Sequence, residues 1–133
     1  MNFLFQAHSG LRFLILLAGA IALVVYLAGQ LQGQKFGKVH RIAGTAYAGL
    51  LHTQALLGLV MVALGRFYPA LIGHLAMMLT AAVVMQVCLS VNKKRAQPGM
   101  LLPLVGTVIS LLLIVGGVMA IGRGLFTVTP MGS

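Results

Sequence analysis

Cutting this sequence at every lysine and arginine leaves four long charge-free runs. They are Phe13–Gln34, Ile42–Gly65, Phe67–Asn92 and Ala96–Gly122, of 22, 24, 26 and 27 residues. Roughly 20 apolar residues suffice for a helix to cross the hydrocarbon core of a bilayer. Four such runs take up nearly all of the 133 residues, and 60% of the chain is hydrophobic. A soluble domain would carry charge on about a quarter of its residues; here the figure is 7%. The expected fold is therefore all-α, an integral membrane four-helix up-down bundle forming one transmembrane domain over residues 1–133. Spans are expected at about 3–28, 39–65, 69–91 and 101–122. Gly29, Gly33 and Gly37 serve as breakers after span 1, and Pro69 suits the first turn of span 3. The first span has no basic segment before it and no cleavage site after it, so it is expected to be retained. Short connections make successive helices antiparallel neighbours.

The net charge of +9 could suggest nucleic acid, but the basic residues sit only between or beside the spans, as membrane anchors do. No nucleic-acid partner is expected. Lys35, Lys38, Arg41, Lys93, Lys94 and Arg95 fall on one side, with Arg12, Arg66 and Arg123 on the other. That asymmetry predicts a cytoplasmic location for the two richer loops and periplasmic termini in a bacterial inner membrane. Cys88 is the single cysteine, so an internal disulfide is excluded. The chain has no aspartate or glutamate. Carboxylate proton relays, carboxylate-bridged metals and hydrolase mechanisms built on a carboxylate are excluded with them. Ser9 beside His8 forms no triad, because adjacent helical residues point in different directions.

Three of the four histidines, His8, His52 and His74, fall inside the apolar stretches. An ionisable residue at such a position is costly and marks a functional site by default. Without carboxylates, neutral imidazole acts above all as a metal ligand, haem iron included. His8 and His74 are each expected roughly 7–8 Å below the same surface, on parallel, diagonal helices. Two imidazoles facing across a bundle could grip one iron from opposite sides. Arg12, one turn beyond His8, and Arg66, at the end of span 2, could each pair a haem propionate. The inward stripes read Arg12, Ile15, Gly19, Ala22, Tyr26 on span 1 and His74, Met78, Ala81, Met85, Cys88 on span 3. The methionines read first as ordinary helix packing, ahead of a cofactor-pocket wall. His52 lies near the midplane with Thr45, Ala48, Gly49 and Ala55 around it. It could substitute for either ligand, hold a deeper pigment, or be a hydrogen-bonded core residue. His40, beside Arg41, is expected to be a solvated interfacial residue. Span 4 has no histidine and offers Gly106, Ser110, Leu113 and Gly117, a stripe suited to close packing.

The segment His8-Ser9-Gly10-Leu11-Arg12-Phe13 resembles the HSG-x-R-W start of small bacterial four-helix membrane proteins described as cytochrome b-like. His52-Thr53-Gln54 with Gly58 is similar to that family's H-x-Q-x-x-x-G segment, and His74-Leu75-Ala76-Met77-Met78 to its E-H-x-x-M-M segment. Phe13 stands where tryptophan is usual, and Gly73 where glutamate is usual. The resemblance touches three of the four spans and implies a cytochrome-type role.

Together these features predict a haem b-binding electron-transfer protein rather than a stand-alone enzyme, a small subunit of a larger respiratory or photosynthetic membrane complex. His8 and His74 are the preferred iron ligands, with His52 as substitute and Arg12 and Arg66 as propionate partners. A chlorophyll-type pigment, held by one histidine per magnesium, is an alternative. So is a cofactor-free scaffold subunit that docks partners through its glycine stripes. A transporter or quinone-binding module is disfavoured by the missing carboxylates.

Overall fold

A computed structural model describes residues 2–65 and 71–119. Four helices follow one another in these residues: α1 (Asn2–Leu31), α2 (Lys38–Ala63), α3 (Leu71–Lys94) and α4 (Leu101–Met119). All four are long and apolar enough to cross a bilayer. Pro69, Arg66, Arg123 and the expected end of span 4 at Gly122 lie outside the described residues.

Each helix packs against two others, α1 and α3 each lying between α2 and α4. The contacts along each seam run in opposite directions. Tyr26, late in α1, donates a hydrogen bond to His40 O early in α2 (2.8 Å), whereas early His8 O accepts one from late Gln54 (2.7 Å). His74 likewise meets Gly117, while later Met85 meets earlier Thr107. The result is an antiparallel ring in which α1 and α3 are diagonal, as the short connections predict.

Helix ends explain the small boundary shifts. Gly29, expected as a breaker, is helical. α1 continues to Leu31 and stops where Gly33 adopts φ 65°. Gln34 N then donates to Gly29 O (2.9 Å) and Gly33 N to Gln30 O (3.4 Å). These two bonds make a Schellman cap, for which a left-handed glycine is suited. At the start of α2 the His40 ring accepts a bond from Gly37 N at 2.9 Å, covering a donor that the helix leaves open. The basic loop after α3 is closed by Asn92, whose amide donates to Gly99 O (2.9 Å) and accepts from Gly99 N (3.0 Å).

The outer face is strongly apolar, and the interior mixes polar with apolar side chains. Leu14, Leu17, Ile21 and Val24 on α1 point outward, and Leu56, Val83 and Leu112 do so on the other helices. The interior holds His8, Ser9, Arg12, Gln54, His74, Thr107 and Ser110 beside Ile15, Ala22, Tyr47, Ala81 and Met85. Arg12, Ile15, Gly19, Ala22 and Tyr26 all face inward as their spacing predicts. Tyr47 shares a 2.8 Å hydrogen bond with Ser110 across the bundle.

Glycine sets how closely α1, α2 and α3 approach. A Cβ at Gly44 would collide with the Tyr26 hydroxyl and come within 2.9 Å of Leu89 Cδ2, whereas one at Gly10 would meet nothing. Gly44→Ala is expected to destabilise the bundle by about 1–3 kcal/mol through overpacking. Gly10→Ala should be neutral or stabilising, because it removes helical glycine at no packing cost. Thermal unfolding of both variants in detergent checks the contrast.

Candidate functional site

His8 comes from the first turns of α1 and His74 from the first described turn of α3. The two diagonal helices bring their rings together, with centroids 6.5 Å apart and planes inclined at 64°. Both are buried, at 5% and 3% exposure, as is Arg12 at 3%. The small cavity between them is also lined by Ile15, Gln54 and Met78.

His74 is held by α4. Its Nδ1 lies 2.9 Å from Gly117 O. A carbonyl only accepts, so Nδ1 carries the proton and Nε2 is the lone-pair nitrogen of the neutral ring. This is the orientation that metal-ligating histidines commonly take, with the other nitrogen fixed by a backbone oxygen. His8 is held from α2: Gln54 Nε2 donates to its carbonyl at 2.7 Å. A Cβ at Gly58 would stand 3.4 Å from His8 Nε2, so the small residue leaves that ring its space. Arg12 lies one turn deeper, its guanidinium 4.9 Å from the Phe13 ring centre. Gln54 Oε1 is buried with no hydrogen-bond partner among the described residues. A buried acceptor left unmatched costs about 1–3 kcal/mol, so this cavity favours an occupant that can donate a proton.

A metal–imidazole bond measures about 2 Å, so two rings on opposite sides of one ion have centres on the order of 6 Å apart. The observed ring spacing of 6.5 Å is close to that value. The cavity volume is about 20 Å³, room for roughly one water. A macrocycle would enter only by displacing side chains such as Ile15, Met78 and Ile114. Among the described residues no group of three or more His, Cys, Asp or Glu forms.

His52 is not in this cavity. It is exposed on the outer face of α2, with Nε2 3.0 Å from Gln86 Oε1 on α3. Gln86 lies twelve residues beyond His74, roughly 18 Å along the helix. The substitute-ligand expectation for His52 thus fails on both rotation and depth; Gln54, two residues on, takes the inward position. His40 also departs from expectation. Only 8% exposed, it stacks with Phe36 and Tyr26 at centroid distances of 5.7 and 6.5 Å. Arg66, the second expected propionate partner, lies outside the described residues.

Sequence reasoning missed Gln54 and Asn92 as structural polar residues. A signal for Gln54 was present, since a glutamine inside an apolar run needs a partner just as a histidine does. No protein-family model, curated protein or solved structure matches this chain.

Replacing His74 with alanine removes a buried ring and leaves Gly117 O without that partner. It should cost about 2–4 kcal/mol. His52→Ala, at an exposed site with one side-chain bond, should cost less than about 1 kcal/mol. Denaturant unfolding in detergent micelles measures the order; equal costs would contradict the placement of His52.

Proposed function

We propose that this chain is a haem b-binding membrane protein that carries electrons, in which His8 and His74 would hold the haem iron. The supporting observation is the meeting of these two buried rings from diagonal helices, 6.5 Å apart, with the His74 Nδ1 fixed by Gly117 O. The resemblance of the His8–Phe13, His52–Gly58 and His74–Met78 segments to cytochrome b-like membrane proteins points the same way. Haem iron would supply reversible one-electron chemistry. The chain's own part is to hold and orient the ligands and keep the site dry. Gly117 O and Gln54 hold the two histidine-bearing turns, while Leu51, Ile114 and Val118 keep water away. Arg12, buried beside both rings, suits one propionate; Arg66 is proposed for the other.

The outward leucine, isoleucine and valine side chains would contact lipid. The basic loops cluster at one end of the bundle, which we assign to the cytoplasmic side of a bacterial inner membrane, with both termini periplasmic. We assign the chain to a larger respiratory or photosynthetic complex as a small electron-carrying subunit.

The close packing around the rings favours a second reading, a cofactor-free scaffold subunit whose histidines are packing residues. A chlorophyll-type pigment is the third. Purified protein incubated with haem distinguishes them. The haem reading expects a Soret band and an α-band that sharpens on reduction, lost in both His8→Ala and His74→Ala and kept in His52→Ala. A spectrum unchanged from that of free haem supports the scaffold, and a band lost only in His52→Ala overturns the proposed pairing.

A further inference from the structure

A second, much larger cavity lies on the outer side of the α2–α3 seam, away from His8 and His74. Its volume is about 440 Å³, and its lining includes Arg41, Thr45, Gly49, His52, Ser90 and Lys93. Arg41 comes from the first turn of α2 and Lys93 from the last turn of α3, so two cations from different helices border one opening. The chain has no acidic side chain to neutralise either. One turn deeper come two hydroxyls. Thr45 is four residues from Arg41 and Ser90 three from Lys93, about 6 and 4.5 Å along their helices.

The hydrogen bonds in this groove have a direction. Gln86 Oε1 can only accept, so His52 Nε2 donates to it at 3.0 Å. Gln86 Nε2 in turn donates to Ser90 Oγ at 3.0 Å. These bonds run to the Ser90 hydroxyl, a group that can itself donate. Two cations at the mouth and proton donors one turn below form a site for a ligand with an anionic group above and neutral acceptors beneath it.

We propose that this groove binds an anionic phospholipid, its phosphate between Arg41 and Lys93 and its ester carbonyls at Ser90 and Thr45. Basic pockets between membrane-crossing helices are suited to such head groups. The groove floor of Ala48, Gly49 and Leu89 then receives the start of an acyl chain. The site rests on the membrane placement of the helices and is independent of the haem reading.

Gly49 offers a test that leaves every charge in place. It lines the groove, and a Cβ there would meet nothing within 4 Å, so Gly49→Leu starts its side chain in open space at the groove. Delipidated protein in neutral detergent is titrated with phosphatidylglycerol, phosphatidylcholine, inorganic phosphate or a short-chain quinone, read by native mass spectrometry and thermal shift. Phosphatidylglycerol should bind and raise the melting temperature, while phosphatidylcholine and inorganic phosphate should not. Affinity should fall about tenfold or more in R41Q/K93Q and in Gly49→Leu, and stay within about threefold in K38Q/K94Q, whose cations lie outside the groove. Equal losses in both double variants, or full binding by Gly49→Leu, would reduce the effect to diffuse surface charge and overturn the site. Binding of the quinone in preference to phosphatidylglycerol, lost in His52→Ala, would also overturn it.

Discussion

The constraint on which this structure depends is the lack of any carboxylate to partner the polar groups in its interior. Every inward donor must find a neutral acceptor, and the backbone supplies most of them. His74 uses Gly117 O, Gln54 uses His8 O, Tyr26 uses His40 O and Thr107 uses Pro103 O. Helical carbonyls already accept one bond each and have a second lone pair to share. The first three of these bonds tie helix to helix without introducing a charge, and all four suit an interior surrounded by apolar side chains.

The two ends of the bundle use this constraint differently. At one end the interior holds His8, His74 and Arg12 around a cavity for about one water. Each histidine-bearing turn is held by a neighbouring helix, at His8 through its carbonyl and at His74 through its ring. At the other end Tyr26, Phe36 and His40 stack, and Met100 packs on Gly29. The His40 ring accepts from Gly37 N, so it serves as a helix cap as well as a packing residue. In the outer groove between α2 and α3, His52, Gln86 and Ser90 bond to each other.

Much of the architecture was legible in the sequence. The four charge-free runs gave the number of helices, and the short connections gave their antiparallel order. The inward stripe from Arg12 to Tyr26 could be read from spacing alone, because a helix repeats every 3.6 residues. The matching depth of His8 and His74 followed from counting residues. Gly33 as a stop was also visible, although Gly29 was not distinguishable from it. In a helix that packs tightly, a glycine can mark close approach rather than an end.

The sequence by itself determined that this chain forms four apolar helices with histidines at particular depths, since length, charge and helical rise are local properties. Only the tertiary structure decided how α2 is rotated about its axis. That rotation puts Gln54 inside and His52 outside, and encloses His40 in an aromatic stack. In a soluble protein, hydrophobic periodicity would have revealed the rotation. Here the outward face is as apolar as the core, so burial no longer sorts residues by hydrophobicity. Packing of glycines against tyrosine, methionine and leucine, with a few bonds to backbone carbonyls, fixes it instead, and those partners are far apart in the chain.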